Sequence, residues 1–210
     1  GSRGVEGKIA GVRYCREQGV PYLGICLGFQ VAVIEYARHV LGLKNANSTE
    51  FDPSTPEPVI SELPEQKKVE MLGGTMRLGG QDVAIRPGTL AAHLYEGKRS
   101  VRERFRHRYE VDPAYIDRLE AAGMIFSGRH PQHPIMQFME LRGPAQAGGH
   151  PFFPAGQFHP ELTSRPLKPQ PMFMGLMAAA LKRKHPDADV GRWIRPPARN
   201  SKSDAVAQVC

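Results

Sequence analysis

An apolar run that ends on a cysteine between two glycines, and then turns at once to helical spacing, leaves few architectures open. Residues 20–25 read as a short strand entered through Pro21, Gly24-Ile25-Cys26-Leu27-Gly28 as a Gly-x-Cys-x-Gly turn, and residues 28–41 as a helix carrying Val31, Ile34, Glu35 and Arg38. A strand that stops at a nucleophilic side chain and passes directly into a helix is the nucleophile elbow of α/β enzymes. The glycines have a steric reason: a tight, strained turn leaves no room for a Cβ beside the nucleophile. The helix start aims free N–H groups at the sulfur, which favours the thiolate. The ordinary alternative is a buried structural cysteine at a strand end, because free cysteine is among the most buried residue types.

With 210 residues, 40% of them hydrophobic and 23% charged, one globular domain with a sizeable core is expected. No apolar run approaches the ~20 residues of a membrane span, so no membrane partner is expected. Three widely spaced cysteines form no disulfide framework and point to a reducing cytoplasm. The net charge of +7 is spread along the chain, densest at Lys182-Arg183-Lys184, without the aromatic and basic alternation of a nucleic-acid-binding sheet, so nucleic acid is not expected as a partner.

The periodicities predict helices over 5–18, 89–95, 112–122 and 171–183, and strands over 75–78, 81–85, 107–111, 124–127, 135–141 and 152–158. Gly79-Gly80 reads as a hairpin turn, residues 44–50 as a polar loop and the proline-rich residues 52–64 as a surface excursion. Asp112-Pro113 is an N-cap followed by proline at the first helical position. The fold class is α/β, three-layered, with a mainly parallel sheet and flanking helices. A helix opens the chain almost immediately, so the first strands of that sheet are expected to be missing. Residues 1–185 form the domain and 186–210 a polar, disordered tail.

Gln157-Phe158-His159-Pro160-Glu161 is the second constellation. Residues two apart on an extended chain share a face, which sets Glu161 beside His159. A carboxylate there fixes the imidazole tautomer and stabilises the imidazolium, the orienting role in a nucleophile–base–acid triad. Taken alone, His-Pro-Glu is an exposed polar turn. Elbow and His-Pro-Glu together, in this order, point to a Cys-His-Glu hydrolase or transferase with Cys26, His159 and Glu161 as its catalytic residues. His130, His133 and His150 flank prolines in loops and lack ligand spacing, so they are expected to be solvated and no metal is expected.

Gly24-Ile25-Cys26-Leu27-Gly28-Phe29-Gln30 with the later His159-Pro160-Glu161 resembles the class I glutamine amidotransferase domains. Stretches 46–51, 74–79, 106–111 and 158–166 are similar to those domains of the CTP synthases in particular, and the likeness covers residues 1–182. It implies a C-terminal glutaminase domain, truncated at its N-terminus, in which Cys26 attacks the side-chain amide of L-glutamine and the Leu27 N–H helps hold the oxyanion. A second oxyanion N–H would come from a glycine-rich loop upstream of Gly1, so the isolated domain is expected to be poorly active. Leu27, Gly28, Phe29 and Gln30 would touch bound glutamine, Glu50 its α-amino group and Arg108 its α-carboxylate. No cofactor is implied in this domain. A separate synthetase domain would use Mg, ATP and UTP to make CTP, and the full enzyme would be a cytoplasmic homotetramer. Other class I amidotransferases, a γ-glutamyl hydrolase-like enzyme and a catalytically impaired binding or assembly module are the competing readings.

Overall fold

The computed structural model describes residues 3–62, 77–142 and 149–191. Residues 74–76 of the similar stretches, 143–148 of the expected loop and 192–210 of the expected tail, with Cys210, lie outside the described residues. Helix α1 spans Val5–Glu17 and buries Val5, Ile9 and Val12. Strand β1, Gly24–Ile25, leads into α2, Leu27–His39, whose residues from Phe29 to Ala37 are all buried. The two helices are bound by a buried carboxylate: Glu35 accepts three hydrogen bonds from Arg16, at 2.8, 2.9 and 3.2 Å.

Three further strands follow: β2 (Ala46–Ser48), β3 (Glu57–Ser61) and β4 (Arg77–Ile85). Then come α3 (Leu90–Leu94), β5 (Ser100–His107), β6 (Glu110–Val111), α4 (Pro113–Ala121), β7 (Met124–Arg129), β8 (Met136–Leu141) and β9 (Pro154–Gly156). A 3₁₀ turn over Pro160–Leu162 and α5 over Pro171–Lys184 complete the described elements. Strands β1-β9-β8-β7-β4-β5 form one sheet and β2-β3-β6 a second. One core, with α1, α2 and β3, takes Met139 and Leu141 from β8; the other, with α3 and α5, takes Phe138. From Phe138 onward, successive β8 side chains thus face opposite helix layers, as the period of two in a strand requires; Met136, across the register shift, joins the first core, and the α/β sheet with flanking helices is present.

The sheet is mixed rather than mainly parallel. Among the described residues only β1 with β9 and β2 with β3 pair in parallel; the other pairs are antiparallel. The connections decide this, because a parallel pair needs a crossover of a dozen or more residues, whereas residues 130–135 return the chain directly from β7 to β8. The hairpin expected at Gly79-Gly80 is instead the interior of one strand, β4, paired with β5 from Arg77↔His107 to Ala84↔Ser100. Cross-strand pairing to β5 carries the chain through both glycines, with Gly79 at φ 86°. The supposed loop and surface excursion contain β2 and β3, whose Ala46, Val59 and Ile60 are fully buried. The strand expected over 107–111 breaks at Arg108-Tyr109, and the one over 152–158 shortens to β9. His150 is 4% exposed rather than solvated: its Nδ1 accepts from the Phe152 N–H and its Nε2 donates to the Cys15 carbonyl at 2.9 Å. Burial holds its pKa below the usual imidazole value.

Only Ala84 and Ile85 of β4 pair with β7, so the rest of the β4–β5 ribbon extends past the sheet. It reaches the C-terminal ends of β1 and β9. Arg104 O accepts the His159 N–H at 2.8 Å, and Phe105 packs edge-on against Phe158 with centroids 5.8 Å apart.

Candidate active site

The elbow is built as its glycines demand. Cys26 has φ 51° and ψ −101°, a conformation that a non-glycine residue adopts only under constraint. Its N–H donates to Gly156 O at 2.9 Å, which ties the turn to β9. A Cβ on Gly24 would lie 2.7 Å from the Ala155 Cβ and 2.9 Å from the Gly28 carbonyl carbon, so a side chain is excluded there. Gly28 is less crowded, with only the Tyr22 hydroxyl at 3.4 Å.

Cys26 and His159 lie past the ends of the parallel pair β1–β9, where α/β folds place their ligands. The β5 edge gathers both: Arg106 O lies 3.9 Å from the Cys26 sulfur, and Arg104 O binds the backbone of His159. His159 Nδ1 donates to Glu161 Oε1 at 2.6 Å. That contact puts the ring proton on Nδ1 and leaves Nε2 as the basic nitrogen; Nε2 is buried and has no hydrogen-bond partner among the described residues.

The sulfur is not a ready-made thiolate. Burial pushes the Cys26 thiol above its usual pKa, the Leu27 N–H pulls it down, the Glu161 and Glu50 carboxylates push it up, and the Gln157 amide pulls it down, with a net rise. The helix start therefore acts in the expected direction but loses to desolvation, and ionising Cys26 requires a base.

A cleft of about 310 Å³ opens over the sulfur, lined by Cys26, Leu27, Gln30, Glu50, Arg106, His107, Arg108 and Tyr109. Glu50 follows β2 and Arg108 precedes β6, so the small sheet presents one carboxylate and one guanidinium to the same cavity. Of the other residues named from sequence, Leu27 and Gln30 line the cleft, whereas Gly28 does not and the Phe29 side chain is fully buried in the core. Gln30 is itself buried, and its Nε2 donates to Tyr109 O at 3.0 Å and to Gln157 Oε1 at 3.2 Å.

Sequence reasoning left Arg106, His107, Tyr109 and Gln157 without a role. Gln157 Nε2 lies 3.7 Å from the Cys26 sulfur. Its signal was available, since it stands two residues before His159, the same spacing that links His159 to Glu161. His107 is held by Glu110 at 2.7 Å, and Arg77 reaches the same carboxylate oxygen at 2.9 Å. Among the described residues no three His, Cys, Asp or Glu side chains are grouped to hold a metal ion, and no helix is long and apolar enough to cross a membrane.

The family model of glutamine amidotransferase class-I matches residues 1–179. The CTP synthase of Rubrobacter xylanophilus is 58% identical over 181 residues, covering 86% of this chain and 31% of the relative. That of Archaeoglobus fulgidus is 55% identical over 182 residues, covering 87% and 33%. The chain thus spans about a third of the length of the curated relatives it matches. Among solved structures, the glutaminase domain of Trypanosoma brucei CTPS with bound acivicin matches at a TM-score of 0.79 and 37% identity, covering 93% of this chain and 72% of that one. The chain belongs to the class I glutamine amidotransferase family and, within it, to the glutaminase domains of CTP synthases.

Proposed function

We propose that this chain hydrolyses L-glutamine to glutamate and ammonia. The observation that carries the reading is the cleft itself: a cysteine on a strained elbow at its floor, with Glu50 and Arg108 on its walls. An α-amino acid carries one fixed cation and one fixed anion, and these two side chains complement them. Glutamine bound between Glu50 and Arg108 directs its carboxamide toward the sulfur.

His159 Nε2 takes the thiol proton, and the sulfur attacks the carboxamide carbon. The Leu27 N–H supports the oxyanion. Collapse of the tetrahedral species breaks the C–N bond, and the imidazolium returns its proton to the leaving nitrogen, which departs as ammonia. Water, deprotonated by His159, then cleaves the thioester, releasing glutamate and restoring the thiol. Glu161 keeps Nε2 the basic nitrogen and stabilises the imidazolium throughout.

In the whole protein, ammonia made here would pass to a synthetase domain that aminates UTP to CTP with ATP and Mg, in a homotetramer. The likeness to full-length CTP synthases supports that reading. Glutamine hydrolysis by the chain, alone or with the synthetase portion supplied, tests the activity. Activity that disappears in Cys26→Ala is expected; activity that survives it would refute the nucleophile. CTP formation from UTP on supplying the synthetase portion is expected, and hydrolysis without it would restrict the function to the glutaminase step.

A further inference from the structure

We propose that Gln157 is a catalytic residue of this site: its side-chain amide donates to the Cys26 sulfur and, with the Leu27 N–H, holds the thiolate that attacks. The inference rests on the glutaminase reading and adds a group to it. Gln157 is fully buried, and its Nε2 lies 3.7 Å from the sulfur. Which end of a carboxamide faces a neighbour is decided by its hydrogen bonds. Here the decision is made by a group that cannot flip. Tyr109 O only accepts, so the Gln30 amide must turn its NH₂ end toward it, at 3.0 Å. The same NH₂ then donates to Gln157 Oε1 at 3.2 Å. With its oxygen committed to Gln30, Gln157 can offer the sulfur only its donor end.

The backbone reinforces this placement. The Gln157 N–H donates to Gln137 O at 2.9 Å, and the preceding Gly156 O accepts the Cys26 N–H. Gln137 sits where the β7–β8 register shifts, between Gly128↔Phe138 and Arg129↔Met136. Irregularities of this kind beside active sites re-aim a side chain or an adjoining strand. The sulfur thus faces Gln157 and the Leu27 N–H as donors, Arg106 O as an acceptor, and the carboxylates of Glu161 and Glu50, with Arg106, His107 and Arg108 along the cleft. Against burial and two carboxylates, the Leu27 and Gln157 N–H groups are the donors that favour ionisation.

The test is the pH dependence of Cys26 alkylation by iodoacetamide on the full chain, read on the Cys26 peptide by mass spectrometry, with Cys15 as internal reference. In Gln157→Leu the midpoint should rise by about half a pH unit to one unit, and labelling near neutrality should slow about three- to tenfold. Gln157→Glu keeps the shape, loses the donor and adds negative charge, so its midpoint should rise further. The acid limb of kcat/KM should move with it. Superimposable profiles in the two variants would overturn the proposal. Should neither variant fold, the Gln157 side-chain ¹⁵N resonance of the unsubstituted chain decides: it should titrate with the thiol midpoint, and a flat response would overturn the proposal. Protection of Cys26 by glutamine, measured in the same samples, reports separately on the glutaminase reading.

Discussion

Two histidine–carboxylate pairs, one on β5 and β6 and one just past β9, are built differently. His159 and Glu161 meet at 2.6 Å with side chains 22% and 48% exposed; His107 and Glu110 meet at 2.7 Å with side chains 3% and 0% exposed. In the first pair the carboxylate takes Nδ1, and Nε2 is left without a hydrogen-bond partner among the described residues. In the second it takes Nε2, and Arg77 shares the carboxylate oxygen. The second pair therefore joins β4, β5 and β6 and fixes the segment that carries Arg106, Arg108 and Tyr109 into the cleft. An imidazole beside a carboxylate is not in itself a catalytic signature. What separates the two is which nitrogen the carboxylate takes and how deeply the pair is buried.

Substitutions can separate the two pairs. The largest effect is expected from His159→Ala, which should lower kcat for glutamine hydrolysis about 10²–10⁴-fold with little change in thermal stability, read by a coupled glutamate assay and a melting curve. A stability loss comparable to that of a core deletion would contradict the assignment. Glu110→Ala should do the reverse. It leaves the buried His107 and the part-buried Arg77 without their carboxylate, and should cost about 3 kcal/mol of stability by denaturant titration. If it folds, KM should rise more than kcat falls, because Arg106 and Arg108 lose their anchor.

Glu161→Gln is expected to be milder, about tenfold in kcat, since the carboxylate is half exposed and water can partly replace it. The smallest effect concerns a third histidine. His150 is buried as the neutral form with a lowered pKa, so its contribution to stability is full above the usual imidazole pKa and is lost as pH falls through and below it. Melting temperature should therefore decline from pH 7 to pH 5, and the slope should flatten in His150→Gln. An unchanged slope would show that other groups govern the acid limb.

The parts of this molecule that were legible from sequence are those where a few residues carry the geometry locally. Gly24, Cys26 and Gly28 announce the elbow because a tight turn tolerates little else, and Asp112-Pro113 announces its helix by cap chemistry, with Asp112 accepting the Ala114 N–H. Cys26, His159 and Glu161 were read together from the elbow and the His-Pro-Glu turn, Glu50 and Arg108 from the family likeness of short motifs, and the cleft does bring Glu50, Arg108 and Cys26 together. What escaped was set by partners distant in sequence. Strands β2 and β3 are short and rich in polar residues, and they exist because they pair with each other and β3 with β6. Strand β4 runs through two glycines because β5 lies along it. The thiol's net rise could not be read from a helix start alone, since burial is a property of the finished packing. The spacing of Gln157 to His159 was legible, but the orientation of its amide was not, because Gln30, 127 residues away, sets it.

The proposed glutaminase chemistry stands or falls with Cys26 as the nucleophile of a formed glutamine pocket. The most direct measurement is labelling of the chain with a glutamine-analogue electrophile, read by peptide mass spectrometry with and without competing glutamine. Modification at Cys26, suppressed by glutamine and absent from Cys15, is expected. Labelling that is uniform across the cysteines, or indifferent to glutamine, would contradict it.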